Sequence, residues 1–128
     1  MPWSHGVFYW NELMTWDVDR AQRFYTETIG WHYEPMPAPL PDGTYWVIKI
    51  GPTMVGGMFQ LSEPHFTGVP EGWMAYLAVD GVDRRIARAE AAGATLLRPA
   101  FDIPGIGRVA ILKEPGGAAI GWITPAPG

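Results

Sequence analysis

The chain repeats itself. Trp10, Asp17 and Gly30 recur as the same residue types at Trp73, Asp80 and Gly93, an offset of 63 in each case, and "YWVIKI" at 45–50 falls on "RVAILK" at 108–113 at that offset. Half of a 128-residue chain buries too little apolar surface to stand alone, so the two halves must pack sheet to sheet, within one chain or across a dimer. A repeat of this length excludes two unrelated domains.

Each half has the same order of elements. Residues 7–15, "VFYWNELMT", read as a strand, and Asp17 offers an N-cap to a helix whose Val18, Ala21, Phe24, Tyr25 and Ile29 recur at helical spacing before Gly30. Phe24 and Tyr25 are expected in the core. Strands follow at 31–36, 44–50 and 54–61, and "PDG" marks a turn between the first two. The stretch 62–72, "SEPHFTGVPEG", has no periodicity and reads as a linker. Then "WMAYLAVD" is a strand, "VDRRIARAEAAG" a helix with Val82, Ile86 and Ala89 on one face, and strands are expected near 94–98, 107–113 and 118–124. The expected fold class is α+β: a single domain over 1–128 of two βαβββ modules, 1–61 and 73–128, forming curved mixed sheets around an open groove.

Composition narrows the partners. Nine Lys and Arg against thirteen Asp and Glu give a net charge of −4 with no basic stripe, so nucleic acid is not an expected partner. Without cysteine there are no disulfides, thiol nucleophiles or Cys-based zinc sites, which fits a cytoplasmic protein. No signal segment and no apolar run near 20 residues is present, so no membrane association is expected. Seven Trp is a high count for this length and points to an aromatic lining or an interface.

"TWDVDRAQRFYTETIGW" in the first half, with "YLAVDGVDRRIARAEAAGATLLRPA" and "EPGGAAIGW" in the second, resembles the vicinal oxygen chelate superfamily, the group of glyoxalases, bleomycin resistance proteins and extradiol dioxygenases. The resemblance covers nearly the whole chain and lies closest to a glyoxalase-like branch. It implies a homodimer with a ligand groove. In metal-binding relatives a His stands seven residues before the helix-capping aspartate, which places Trp10 and Trp73 there in this chain. The remaining ligand positions fall at about Gln60 and near Gly121 or Trp122, so the resemblance implies that the metal site is lost and that no cofactor is required.

Strand alternation puts Trp10, Glu12 and Met14 on one face and Asn11, Leu13 and Thr15 on the other; the resemblance turns the second face toward the helices. Glu12 is the candidate catalytic residue, because burial disfavours the charged form of a carboxylate and suits it to general-base work. The structural alternative pairs it with Arg98, Arg108 or Lys49. Trp10, Glu12, Met14, Trp46, Gln60, Trp73 and Trp122 are the expected ligand-binding set, for a small and partly aromatic molecule. Trp16 and Trp31, near the helix ends, are expected in the core. His5, His32 and His65 lack the spacing that places two ligands on one face, and "RRIAR" reads as a solvated helix face. Two other functions compete with metal-free binding. One is a lyase, isomerase or dioxygenase-like enzyme with Zn, Ni, Mn or Fe on an unanticipated set such as Glu12, Gln60 and a His; the other is a resistance protein that sequesters a drug.

Overall fold

Both helices begin where a side chain from the last strand of the same module reaches back to the first turn. The computed structural model describes residues 3–127, with elements in the order β1 (Phe8–Thr15), α1 (Val18–Thr28), β2 (His32–Pro37), β3 (Thr44–Ile50), β4 (Thr53–Gln60), β5 (Gly72–Ala78), α2 (Val82–Ala91), β6 (Thr95–Ile103), β7 (Gly107–Lys113) and β8 (Ala119–Pro125). This is an α+β fold of two βαβββ modules. No helix among the described residues is long and apolar enough to cross a membrane. The chain divides into two compact units, one spanning Trp10–Trp73 and the other running from Met74 onward with the segment that precedes Trp10.

In the Trp10–Trp73 unit the strands lie in the order β2-β3-β4-β1, with β1 parallel to β4 and the other neighbours antiparallel. Leu13, Val18, Ile48 and Met58 form the core between this sheet and α1, joined by Ala21, Tyr25, Trp31, Tyr33 and Trp46. Phe24, expected inside, is 56% exposed, because it is Tyr25 and Ala21 that continue the inward stripe from Val18. Asp17 caps α1 by accepting from the Arg20 N–H at 3.0 Å. Gln60 supplies the next partner: its Oε1 accepts from the Val18 N–H at 3.0 Å while its Nε2 donates to the carbonyls of Trp16 (2.7 Å) and Leu61 (2.9 Å).

The segment 62–72 is part of this unit. Residues 63–68 form a turn, and the chain then returns to the β1–α1 corner, where the Trp16 indole donates to the Val69 carbonyl at 2.9 Å. Glu71 accepts from the Trp16 N–H (2.7 Å) and the Thr15 hydroxyl (2.9 Å). Those two bonds hold its carboxyl below the ordinary value of 4.5, with Arg20 adding a smaller pull.

The second unit repeats the plan in the order β5-β8-β7-β6, with β5 parallel to β8. Val79, Val82, Ile86, Ala110 and Leu112 form its core under α2, with Leu77, Ala89, Leu96 and Trp122 packed against them. Asp80 does not cap α2. The N-cap is Gly81, at φ 55° and without a side-chain bond, and Thr124 takes over: its hydroxyl accepts from the Val82 N–H at 3.0 Å and donates to the Val79 carbonyl at 2.7 Å. Asp80 instead faces Arg85 (2.6 Å), Arg84 (3.4 Å) and His5 (3.5 Å), and its carboxyl is held low chiefly by the Arg85 hydrogen bond.

These pairings set the repeat at 64 residues rather than 63. Glu12 opposes Gly57 as Tyr76 opposes Gly121, and Leu13 opposes Met58 as Leu77 opposes Trp122; Gln60 and Thr124 are likewise 64 apart. The helix starts keep that offset, Val18 standing to Val82 as Glu12 to Tyr76, and α2 is one residue shorter than α1, so the glycines after the helices return to an offset of 63. A one-residue slip on a strand exchanges its faces. Trp73 is thus the counterpart of Tyr9, and Met74 that of Trp10.

Gln60→Leu and Thr124→Val should each leave a helix N–H without its partner and lower stability by about 1–3 kcal/mol in urea unfolding. Losses within about 0.5 kcal/mol, the range of inert surface changes, would show that these side chains do not fasten the helices.

Candidate functional site

The face of the Trp10–Trp73 sheet opposite α1 carries Trp10, Glu12 and Met14 from β1, Gly57 and Phe59 from β4, and Tyr45 from β3; the strand register and the inward set Leu13, Met58 and Ile48 fix this assignment. The arrangement is built on a missing side chain. A Cβ on Gly57 would fall within the hydroxyl, Cζ and Cε2 of Tyr45, so the phenol lies in the notch that only glycine leaves open. There the Tyr45 oxygen accepts from the Trp10 indole N–H at 2.8 Å. The Tyr45 ring stacks on Phe59 at 6.4 Å between centroids, and Phe59 meets Phe66 of the following loop at 5.6 Å. Glu12, directly beside Gly57, is 7% exposed, and Met14 is 9% exposed.

The second unit has the same device at the equivalent position. A Cβ on Gly121 would fall within the Tyr76 ring, and Gly121 and Gly57 are the repeat-related pair. Both rings therefore lie over glycines on the sheet face turned away from the helices.

Of the seven residues expected to line a ligand site, Trp10, Glu12 and Met14 share this face. The other four lie elsewhere. Trp46 opposes Met58 and packs into the core under α1. Gln60 is committed to the backbone of Trp16, Val18 and Leu61. Trp73, 45% exposed, meets Tyr25 and Trp31 edge-on at 5.8 and 5.9 Å and donates to the Tyr25 hydroxyl at 3.3 Å. Trp122 packs against the core under α2. Trp73 and Trp122 sit one register step from the expected frame, whereas for Trp46 it was the alternation along β3 that went unused. Tyr45, Gly57 and Phe59 were missed. The signal for them lay in "TYWVIKI" and "VGGMFQ", where alternation places Tyr45 opposite in face to Trp46, and Phe59 opposite in face to Gln60.

The cations named as alternatives for Glu12 include two with other partners: Lys49 meets Glu34 at 3.1 Å, and Arg108 meets Asp83 at 2.8 Å and Asp102 at 3.2 Å. Arg98 lies over the Phe101 ring at 4.4 Å. His5 contacts Asp80, and His32 and His65 are exposed. Among the described residues no three His, Asp or Glu side chains come together in a group able to hold a metal ion. With the Gln60 amide bonded on both sides, the residues present do not fit the divalent metal that the superfamily resemblance brings with it.

Gly57→Ala should force the Tyr45 ring out of its notch, moving the Trp10 indole N–H resonance and lowering stability by about 1–3 kcal/mol, the usual effect of overpacking. An unmoved resonance would show that the glycine does not seat the ring.

Comparison with known proteins places the chain among relatives. A family model described as a glyoxalase-like domain matches residues 9–120. A Mycobacterium bovis protein named "Putative glyoxylase CFP32" is 39% identical over 122 residues, covering 95% of this chain and 45% of that protein. The anthracycline biosynthesis protein DnrV of Streptomyces peucetius is 29% identical over 125 residues, covering 89% and 45%. The chain thus spans less than half the length of these curated relatives. Among solved structures, a Streptomyces coelicolor methylmalonyl-CoA epimerase superposes with a TM-score of 0.67 at 16% identity, covering 97% of this chain and all of that one; at that identity the likeness shows the fold.

Proposed function

The chain belongs to the glyoxalase-like family of the vicinal oxygen chelate superfamily, and from that premise we propose that it binds a small, flat, partly aromatic organic molecule against the Trp10–Tyr45 face, backed by the buried Phe59, without a metal ion. The carrying observation is the tyrosine seated over Gly57 and held by the Trp10 indole at 2.8 Å. An aromatic surface fixed by a hydrogen bond and by packing presents a ligand with apolar area whose ordering cost has already been met in folding.

Polar selectivity in this reading comes from Glu12, the carboxylate on the same strand face. In this reading Glu12 accepts a hydrogen bond from a ligand donor or takes a proton from an acidic carbon, the role of a general base. The name of the Streptomyces relative, an anthracycline biosynthesis protein, supports a flat polycyclic ligand class. The donor set supports metal independence, since the positions that the resemblance assigns to ligands carry indoles at Trp10 and Trp73 and fall near Gly121 or Trp122, and Gln60 serves the start of α1.

Anthraquinone-2-sulfonate, a soluble planar probe, tests this reading. In the presence of chelator it should quench tryptophan fluorescence saturably, and Trp10→Ala should weaken its binding at least about tenfold, or 1.4 kcal/mol. Quenching that never saturates, or the same affinity in the variant, would remove the aromatic face as the ligand site.

A further inference from the structure

We infer that the loop at 62–70 is a flap whose Phe66 ring holds the Phe59 end of the aromatic face until a ligand displaces it. Its role rests on the ligand face proposed above, to which it adds a built-in occupant. Phe66 meets Phe59 at 5.6 Å between centroids with a 52° tilt, and Tyr45 stacks on Phe59 at 6.4 Å. With both rings in place Phe59 is 4% exposed.

The loop is pinned at both ends to one point. On the way in, the Leu61 N–H donates to the Thr15 carbonyl at 2.7 Å. On the way out, the Val69 carbonyl accepts from the Trp16 indole at 2.9 Å, and Glu71 accepts from the Trp16 N–H and the Thr15 hydroxyl. Between these anchors the backbone bonds are local: the Phe66 N–H donates to the Ser62 carbonyl and the Val69 N–H to the Phe66 carbonyl, each at 3.0 Å, and the Thr67 hydroxyl donates to the Pro64 carbonyl at 3.1 Å. Surface loops of about 6–16 residues whose ends meet in this way are compact units that frequently carry function.

A loop bonded within itself and tied to a single corner moves as one piece, because tilting it keeps its own hydrogen bonds. The Phe66 ring is what ties its middle to this sheet. That ring is half-buried, whereas His65 and Thr67 on either side of it are exposed. Gly68, at φ 81° and with no described atom within 4 Å of the place a Cβ would take, supplies the pivot. Swinging Phe66 away bares the side of Phe59 that it covers, so a flat ligand gains a third ring beside Trp10 and Tyr45. The ligand competes with Phe66 for that place. Its apparent affinity is therefore scaled down by the fraction of chains whose flap is open.

Relaxation dispersion on the 15N-labelled whole chain reads the flap without ligand: residues 62–70 should exchange at one common rate while the core strands stay quiet. For an open population of at most about 10%, Phe66→Ala should bind anthraquinone-2-sulfonate more tightly than the wild type by the reciprocal of that population, at least about tenfold. Saturating the wild type with the probe should abolish the nuclear Overhauser contact between the Phe66 and Phe59 rings. Absence of dispersion in the loop would overturn the flap, as would an unchanged affinity in Phe66→Ala or a ring contact that survives saturation. If the probe never saturates the wild type, the ligand face fails by its own test, and the dispersion of the ligand-free protein still decides the flap.

Discussion

The parallel pairing of the first and last strand of each module, locked by a side chain that bonds the start of the intervening helix, is the constraint from which the rest follows. In one unit Gln60 holds the Val18 N–H, and in the other Thr124 holds the Val82 N–H. A helix of 10 or 11 residues is marginal by itself, and its first turn carries donors that the helix cannot satisfy. Meeting one of them from the neighbouring strand end couples helix position to strand register. Register in turn decides which side chains face the helix and which face away.

That coupling explains how two chemically different faces arise on the Trp10–Trp73 sheet. Under α1 the side chains are those of an ordinary core, Leu13, Ile48, Met58 and Trp46. On the reverse, glycine at 57 creates a notch that Tyr45 fills, and the phenol is then fixed by Trp10. The same pairing of a glycine with a tyrosine ring recurs at Gly121 and Tyr76. Where superfamily members place metal-ligating side chains on this face, this chain presents rings, a thioether and one carboxylate, and its Gln60 is bound into the helix start. An aromatic ligand face is the role we propose for those residues.

Much of this was legible in the sequence. The repeat, the element order, the family and the division of β1 into a Trp10–Glu12–Met14 face and a Leu13–Thr15 face all follow from periodicity and motif. The failures have one main physical source. Asp17 and Asp80 look equivalent, but Asp80 is engaged by Arg85 and leaves the capping of α2 to Gly81 and Thr124. That one-residue difference moved Trp73 and Trp122 to the wrong face. Gln60 was misread for another reason: a polar residue at a strand end serves a helix N–H as readily as a ligand, and only the folded geometry distinguishes the two. The Tyr45 notch required knowing that Gly57 and Tyr45 are strand neighbours, which pairing reveals and spacing does not. The linker at 62–72 carried no periodicity, so its return to the β1–α1 corner through Glu71 and Val69 was invisible in the sequence.

Metal content tests the central claim most directly. Protein purified without chelator or nickel affinity, dialysed against zinc, nickel, manganese and iron(II) in turn and then against buffer, should retain well below one ion per chain by elemental analysis, because no convergent ligand set occurs among the described residues. One ion per chain, retained through dialysis, would contradict the account and show that the aromatic face is not where this protein's chemistry lies.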